Sequence, residues 1–322
     1  MTDATVWQPA ASLAALKSRA ELLAYVRGFF ARRRVMEVET PVLGRFGVTD
    51  LNLDGIRADV AACGVRGGWL QTSPEYHMKR LLAAGAGPIF QIARVFRDGE
   101  SGPRHNPEFS LLEWYRPGMD DRELMAEVGD LVCGWLECPQ PEVLTYRGAL
   151  MRHAGFDPMA ITDAELRQYC QRWLEPGQLD DLGRDACLDL VMSFAVEPAL
   201  GQNAPVFVTR YPASQAALAR TSRDDGYAVA HRFELYSQGL ELCNGYWELT
   251  DAEEQRARFE ADNRARGAAG KPEMAIDETL VAAMESGLPD CAGVALGLDR
   301  LQMLKVGARS IDEVLAFPFG RA

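Results

Sequence analysis

Apolar and polar positions follow two periods along this chain, one helical and one alternating. Over residues 12–34, apolar side chains recur about every 3.6 positions, which predicts an amphipathic helix. The positions that carry this spacing are Leu13, Leu16, Ala20, Leu23 and Val26. The next segment, VMEVETPVL, alternates instead, and this predicts an extended segment that Pro41 stops.

Start and stop signals of a helix surround the segment TSPEYHMKRLLAAG. Ser73 is the predicted N-cap, Pro74 occupies the first helical position, and Glu75 lies in the first turn. Gly85 follows the last apolar residues and predicts the end of the helix.

Alternation predicts most of the remaining strands. PIFQIARVFR and EFSLLEWYR are predicted strands joined by a polar loop, and residues 119–198 are predicted to be mostly helical. Alternation returns in PVFVTRYP, HRFELYSQGLELCNGYWEL and AGVALGLDRLQMLKVG, while Thr250 and Glu253 predict a capping box that opens a charged helix through about Arg266. The pattern predicts an α+β fold, an antiparallel sheet flanked by helices, in a single domain of residues 1–322.

Composition narrows the class of protein. The chain has 322 residues and a formal net charge of −12, so it is a poor non-specific partner for nucleic acid or anionic membranes. No signal peptide and no apolar run of membrane-spanning length is visible. Seven cysteines without a CxxC pair indicate reduced thiols and a cytoplasmic protein. They are Cys63, Cys133, Cys138, Cys170, Cys187, Cys243 and Cys291.

Two common nucleotide-binding motifs are absent from the sequence. The segment GAAGKPEM supplies Gly and Lys, but Pro272 stands where a phosphate loop needs Ser or Thr, and no strand precedes it. No GxGxxG follows a predicted strand, which argues against a Rossmann site. A nucleotide site in this chain therefore needs another framework.

The predicted strand 108–116 gathers four side chains on one face, because alternate residues of a strand point the same way. They are Phe109, Leu111, Glu113 and Tyr115. An aromatic ring, a carboxylate and a phenol suit a flat base at one end and an ammonium group at the other. Taken alone, the stretch favours the simpler interpretation of an amphipathic strand with its glutamate at the rim.

Three glutamates, Glu234, Glu241 and Glu248, recur every seven residues through a predicted hairpin. With the turn at 237–239, Glu234 and Glu241 lie near each other, and like charges facing across a sheet are destabilising unless a cation lies between them. Magnesium suits such a place, since proteins hold it with one or two carboxylates plus substrate phosphates. Two acids on a solvated edge are the alternative.

The segment GVALGLDRLQML combines a strand of small residues with a helix start. Gly293, Ala295 and Gly297 leave one face bare, which allows a ligand to approach the backbone closely. Arg300 follows where a helix begins and is placed to meet a phosphate or stack on a base. A Gly-rich turn with a surface arginine is the alternative.

Together these stretches resemble the motifs of class II aminoacyl-tRNA synthetases. FRDGESGPRHNPEFSLLEWY is similar to motif two, GVALGLDRLQML to motif three, and VMEVETPVL to the dimer-forming motif one. The lysyl-tRNA synthetase catalytic domain is nearest in kind, because its RHNPEF run and three seven-spaced glutamates are reproduced here. The similarity covers nearly the whole chain.

Three features separate the chain from that synthetase. There is no room for an N-terminal anticodon-binding OB domain, Ser73 stands before Pro-Glu where the synthetase has Ala, and Ala295 replaces a Gly. By these features the chain is identified as a member of the elongation factor P (R)-β-lysine ligase family.

The resemblance implies an activity. Such a ligase uses ATP and Mg²⁺ to form the (R)-β-lysyl adenylate, then transfers the β-lysyl group to the ε-amino group of a lysine on elongation factor P, releasing AMP and diphosphate. No covalent enzyme intermediate is expected. The resemblance also implies a homodimer built on motif one, with no stable tRNA binding and no membrane association.

The resemblance implies site residues as well. Arg97 and Arg300 are the expected catalytic residues, Arg97 on the α-phosphate and Arg300 with Phe109 on either side of the adenine. The other expected ATP contacts are Asp98, Gly99, Glu100, Arg104, His105, Glu241, Leu242 and Gly297. The expected contacts of the amino-acid substrate are Ser73, Pro74, Glu75, Glu113, Tyr115, Glu248 and Ala295, and the expected metal ligands are Glu234 and Glu241.

Two positions bear on that assignment. Where the family pattern has Arg-x-Glu, this chain has Arg97-Asp98-Gly99-Glu100, so the glutamate that contacts the adenine edge has either moved to Glu100 or been lost. Ala295 adds one methyl group to the pocket floor and predicts a preference for β-lysine over α-lysine of ~1–3 kcal/mol.

Two other functions fit parts of the sequence. A truncated synthetase that charges tRNA or another small acceptor would keep the adenylating motifs, but the missing anticodon domain and the net charge of −12 weigh against it. A non-catalytic paralogue that regulates a partner would not need Arg97, Arg300 and the three glutamates. The surface that docks elongation factor P and the role of residues 119–198 stay unassigned.

Overall fold

A computed structural model describes residues 7–61, 64–179 and 182–322. Cys63 lies outside the described residues, as do residues 1–6 of the N-terminal stretch in which no signal peptide was found. The strands are β1 (Met36–Glu37), β2 (Leu43–Gly44), β3 (Arg57–Val60), β4 (Val65–Leu70), β5 (Ile89–Phe96), β6 (Glu108–Pro117), β7 (Glu142–Thr145), β8 (Val206–Pro212), β9 (Thr221–Asp224), β10 (Tyr227–Ser237), β11 (Leu240–Trp247) and β12 (Cys291–Gly297).

The α-helices precede, separate and follow these strands. They are α1 (Leu13–Arg32), α2 (Glu75–Ala83), α3 (Asp121–Leu136), α4 (Tyr146–His153), α5 (Asp163–Cys170), α6 (Pro176–Leu179), α7 (Arg184–Val191), α8 (Ala252–Ala268), α9 (Glu278–Glu285) and α10 (Leu298–Val306). A π-helical turn, Met192–Val196, follows α7 directly.

The chain divides into two compact units. The first contains Met1–Met119 and Leu249–Ala322, and the second contains Asp120–Glu248. Whether the two behave as the single domain expected from the sequence stays a prediction.

The first unit contains four strands in the order β1-β5-β6-β12 and a separate three-stranded sheet in the order β2-β4-β3. The pairs β5–β6 and β6–β12 are antiparallel, whereas β1 runs parallel to β5. Helix α1 covers one face of this sheet, because Phe30 stacks on Phe90 at a ring distance of 4.4 Å and meets Trp114 edge-on at 5.3 Å. The other face, which carries the side chain of Glu113, is left to the candidate site.

The second unit has its own strands in the order β11-β10-β8-β7, with β9 paired to β10. Helices α4 to α7 bury apolar side chains against β8 and β10, where Tyr146, Leu188, Val208 and Tyr236 belong to one core cluster. Residues 119–198 are mostly helical, as predicted, and the short strand β7 is the exception. The α+β fold with a mainly antiparallel sheet is thereby confirmed.

Two predicted helix caps are wrong by one residue. Helix α2 begins at Glu75 with Pro74 as its N-cap, so Pro74 is not the first helical residue and Ser73 lies before the cap. Ser73 still supports the helix start, because its hydroxyl accepts the N–H of Glu75 at 3.0 Å. Helix α8 is capped by Asp251 instead of Thr250, since the Asp251 carboxylate accepts the N–H of Glu254 at 3.0 Å.

Among the described residues, no helix is both long enough and apolar enough to cross a membrane.

Candidate active site

Glu113 lies at the centre of the sheet in the first unit. It is opposite Gln91 on β5 and opposite Ala295 on β12. Strand alternation puts its side chain on the same face as Phe109 and Leu111, as predicted. Glu113 is only 2% exposed, so the alternative interpretation that places this glutamate at a solvated rim is wrong.

Two hydroxyl groups hold the carboxylate of Glu113. The Tyr115 hydroxyl donates to Oε1 at 2.7 Å, and the Ser73 hydroxyl donates to Oε2 at 2.7 Å. The same Ser73 oxygen accepts from the backbone of Glu75. The structure thus brings together four of the residues expected at the amino-acid site, and Pro74 lies buried between two of them.

A buried ammonium group lies beside Glu75. Lys79 follows one turn later on α2, and its Nζ is 2.7 Å from Oε1 of Glu75. The Lys79 side chain is 1% exposed and that of Glu75 is 17% exposed. Lys79 was not among the expected site residues, although its i, i+4 spacing from Glu75 is the ordinary spacing of a helical ion pair.

Arg97 follows the end of β5 and lies over Phe109. Its Cζ is 5.0 Å from the centre of the Phe109 ring, within the range of a cation–π contact. Its Nη1 is 3.3 Å from Oε1 of Glu100, and its Nε donates to the carbonyl of Thr72 at 3.4 Å. Glu100 therefore orients Arg97 here. The expected contact of Glu100 with the adenine stays a prediction.

Arg300, on the first turn of α10, meets His105. Nη2 of Arg300 lies 2.7 Å from Nε2 of His105. Burial, and next the positive charge of Arg300, lower the pKa of His105 below its ordinary value. The imidazole is therefore neutral at pH 7 and its Nε2 accepts from the guanidinium. Two of the expected ATP contacts are thereby brought together.

Asp299, the residue before Arg300, was not expected at the site, yet its carboxylate anchors the start of α10. It is 2% exposed, and its Oδ2 accepts the N–H of Ser110 at 2.7 Å. Its Oδ1 is 2.8 Å from Nη1 of Arg19. This carboxylate connects α10 to β6 and to α1, and so fixes the position of the first turn of α10, which carries Arg300. The sequence feature that could have identified Asp299 is an acid directly before the arginine of motif three.

The small residues of β12 line the face that carries Glu113. Gly293 is opposite Tyr115, Ala295 is opposite Glu113, and Gly297 is opposite Leu111. Gly297 is also the N-cap of α10. The predicted bare face therefore lies directly beside the polar side chains of β6.

The loop between β5 and β6 holds the remaining expected residues of the first unit. The Asp98 carboxylate accepts the N–H of Gly99 at 2.8 Å, and the Asp98 N–H donates to the carbonyl of Asp54 at 2.7 Å. Gly99 has a φ of +76°, a conformation that glycine adopts without strain. Arg104 is exposed.

In the second unit, β10 and β11 form the predicted hairpin. The turn is Gln238–Gly239, with φ values of +51° and +70°, and Ser237 pairs with Leu240 as part of the strands. A register shift follows Leu235, so Glu234 is opposite Asn244 and Glu241 is opposite Tyr236. The two glutamates are therefore not directly opposite each other.

Glu234 is a buried acceptor, 6% exposed, whose two oxygens are both engaged. Oε1 accepts from Arg232 at 2.5 Å, and Oε2 accepts from the hydroxyls of Tyr211 and Tyr236. Burial, and next the charge of Glu234, hold the pKa values of both tyrosines well above their ordinary range, so the phenols stay protonated donors.

The expected magnesium pair does not fit at Glu234. Three of the four acceptor positions of this buried carboxylate are taken by one guanidinium and two phenols, and a metal ion at the remaining position on Oε1 would lie against the positive charge of Arg232. Glu241 is half-buried, and an oxygen ligand of its kind suits magnesium. Glu234 therefore supports the hairpin, whereas Glu241 remains a predicted ligand.

The other expected residues of the second unit are buried. Leu242 is 2% exposed. Glu248 is 1% exposed, lies just after β11, and bridges to Ala219 through the backbone. Their expected contacts with ATP and with the amino-acid substrate stay predictions.

Comparison with known proteins identifies the family of the chain. The model of the family "tRNA synthetases class II (D, K and N)" matches residues 7–321. The elongation factor P–(R)-β-lysine ligases of Pectobacterium carotovorum, Edwardsiella ictaluri and Photorhabdus laumondii are 49%, 50% and 48% identical to this chain, over the whole of both sequences. The chain belongs to the class II tRNA synthetase family of the D, K and N type.

Proposed function

We propose that this protein is an ATP-dependent ligase that joins (R)-β-lysine to the ε-amino group of a lysine on elongation factor P. The observation that carries the proposal is the similarity of 48–50% identity, over the whole chain, to relatives that are named for this reaction. The polar cluster around Glu113 supports it, because a buried carboxylate held by two hydroxyls suits an ammonium group.

In this proposal, carboxylates bind the amino groups of the substrate. Glu75, with Ser73 and Pro74 before it, takes one amino group. Glu113 and Tyr115 take the distal ammonium, and the resemblance also implies that Glu248 contacts the amino-acid substrate. Because Ser73 and Tyr115 already donate to Glu113, the directions of its remaining acceptor lone pairs are set before the substrate arrives.

The nucleotide is bound by cations and an aromatic ring. Arg97 holds the α-phosphate and stabilises the charge that develops there, while Phe109 and Arg300 lie on either side of the adenine. The neutral imidazole of His105 meets the outer phosphates as a hydrogen-bond partner. The remaining contacts are those of Asp98, Gly99, Glu100, Arg104, Glu241, Leu242 and Gly297.

The reaction has two steps. An oxygen of the β-lysine carboxylate bonds to the α-phosphorus of ATP, the bond from that phosphorus to the bridging oxygen breaks, and diphosphate leaves. The neutral ε-amine of the acceptor lysine then attacks the carbonyl carbon, the carbon–oxygen bond to AMP breaks, and the amine loses a proton. The protein contributes positioning and electrostatic stabilisation.

Magnesium accompanies ATP in this proposal, with Glu241 as its protein ligand, and when bound it offsets negative charge on the phosphates. Glu234 acts through the hairpin instead. The proposal also includes a cytoplasmic homodimer that does not hold tRNA stably.

The first test is intact-protein mass spectrometry of elongation factor P after incubation with this protein, ATP, Mg²⁺ and (R)-β-lysine. A mass gain of one lysyl unit is expected. Arg97→Ala is expected to lower the rate ~10²-fold or more, since it removes a donor that acts on developing charge. Arg94→Ala is the matched control, because Arg94 lies on β5, shortly before Arg97, with its side chain 55% exposed.

The other outcomes separate the competing functions. ATP–diphosphate exchange with an amino acid, but no gain of mass, would keep the adenylating site and reject elongation factor P as the acceptor. Charging of tRNA would favour the truncated synthetase. No exchange with either α-lysine or β-lysine would favour the non-catalytic paralogue.

A further inference from the structure

Lys79 is buried where a lysine is costly to bury. Its side chain is 1% exposed, on the face of α2 that also buries Met78 and Leu82. An ammonium group removed from water needs a charged partner, and Glu75 supplies one at 2.7 Å. A helix that needed only packing here would be served equally well by methionine or leucine. Packing alone therefore does not explain why a charged side chain occupies position 79.

The polar chain that begins at Lys79 runs to the centre of the sheet. Lys79 donates to Glu75, the backbone of Glu75 donates to Ser73, and Ser73 donates to Glu113. Tyr115 donates to the other oxygen of Glu113. These five residues hold two carboxylates and one ammonium, so their formal charge is −1.

Oε1 of Glu75 accepts from Lys79, and the two carboxylate oxygens of one residue cannot be oriented independently. The position of Nζ therefore restricts the orientation of the carboxylate and with it the direction of Oε2. The neighbouring Glu113 is held in the same way, with a donor on each oxygen. Both carboxylates of the cluster are thus directed by groups of the protein.

We propose that Lys79 is a positioning residue for the amino-acid substrate, acting through Glu75. It holds the Glu75 carboxylate in the direction that receives an amino group of the substrate. This proposal rests on the proposed function, in which Glu75 binds an amino group of a diamino acid. Lys79 itself does not touch the substrate.

The test is the kinetics of ATP–diphosphate exchange by the full-length protein, with (R)-β-lysine varied at saturating ATP and then ATP varied at saturating (R)-β-lysine. Lys79→Met is expected to raise KM for β-lysine ~10-fold or more, because one misdirected hydrogen bond to a charged group costs about a factor of ten. KM for ATP is expected to stay within about two-fold, since the nucleotide does not meet Glu75. Arg80→Met, which removes the exposed cation next along the same helix, is the matched control and is expected to change neither constant.

A double variant separates positioning from stabilisation of α2. Lys79→Met combined with Glu75→Gln keeps the formal charge of the five residues at −1, as in the wild type, whereas Lys79→Met alone makes it −2, so the double variant is expected to fold even where Lys79→Met alone does not. If Lys79 acts through Glu75, the double variant has the same KM for β-lysine as Glu75→Gln alone. Additive effects in this cycle would overturn the proposal, because they would mean that Lys79 acts by another route.

Two further results would also overturn the proposal, and they differ in what they say of the proposed function. If the wild-type protein exchanges diphosphate with β-lysine and Lys79→Met leaves KM for β-lysine unchanged, the positioning role alone is rejected. If the wild-type protein shows no exchange with any diamino acid, the proposed function is rejected together with it.

Discussion

Ala295 is the residue whose methyl group is predicted to separate β-lysine from α-lysine. In the sheet it is directly opposite Glu113, and the neighbouring positions on the same face, Gly293 and Gly297, have no side chain. The Cβ of Ala295 is therefore the atom of β12 that projects beside the buried carboxylate. The sequence indicated a small residue that differs from the synthetase, whereas its position opposite Glu113 depends on the strand register.

Ala295→Gly is expected to reduce the preference for β-lysine over α-lysine. Removing the methyl group gives room for the amino group on the α-carbon, and a methyl-sized change in a pocket is worth ~1–3 kcal/mol, or about 10-fold to 200-fold. The measurement is the ratio of kcat/KM for the two amino acids in diphosphate exchange. Ala292→Gly makes the same change on the opposite face of β12 and should leave the ratio unaltered; an unaltered ratio in Ala295→Gly would contradict the assignment.

Glu234 and Lys79 show which site residues a sequence cannot resolve. The seven-residue spacing made Glu234 equivalent to Glu241, but Tyr211, which occupies Oε2 of Glu234, lies 23 residues earlier on another strand. The spacing of Glu75 and Lys79 is local and visible, but nothing local says that Lys79 is buried. Charges and hydroxyls can be predicted from sequence; which donor meets which acceptor requires the tertiary structure.

At the scale of elements, strands were predicted better than the faces of helices. The strands β5, β6, β8, β10, β11 and β12 follow the alternation of the sequence. Helix α1 was predicted over 12–34 and is observed over Leu13–Arg32, but Leu13 is 73% exposed while Ala15, Leu22 and Phe30 are buried. Apolar residues surround much of this helix, and the contact of Phe30 with the sheet decides which face is inside.

The hairpin β10–β11 depends on a glycine opposite an aromatic ring. Gly245 pairs with Phe233, and a Cβ built on Gly245 would lie 2.3 Å from the Phe233 ring. Phe233 is fully buried and packs edge-on against Phe207 at 5.7 Å, so the ring has no free direction in which to move.

Gly245→Ala is therefore expected to lower the free energy of unfolding by about 1–3 kcal/mol, the usual cost of overpacking. Urea denaturation followed by circular dichroism measures the change. Gly267→Ala is the control, because Gly267 lies near the end of α8 with open space around its Cβ position and should lose no stability. Equal stability of both variants would show that the hairpin can move aside at Gly245.

At the scale of the whole molecule, charge and exposed apolar surface point to one kind of self-association. A net charge of −12 opposes contact between copies, so a dimer needs apolar area to offset that repulsion. Large apolar side chains are exposed in the segment that resembles motif one, at Met36 (49%), Val42 (39%) and Leu43 (39%). The expected homodimer thereby has a candidate surface, although β1 has only two residues where the sequence predicted a longer extended segment.

Leu43→Asp is expected to convert the dimer to a monomer at micromolar concentration. Burying an apolar side chain contributes ~1.5–3 kcal/mol to an interface, and an aspartate there adds a charge to an already acidic surface, so the dissociation constant should rise more than ~10-fold. Light scattering coupled to size-exclusion chromatography measures the mass in solution. Met151→Asp is the matched control, since Met151 is 52% exposed on α4, outside motif one, and should remain dimeric. A dimer that survives Leu43→Asp would place the interface elsewhere, and a wild-type monomer would contradict the expected homodimer. A monomeric variant that still modifies elongation factor P would show that each chain is active without a second copy.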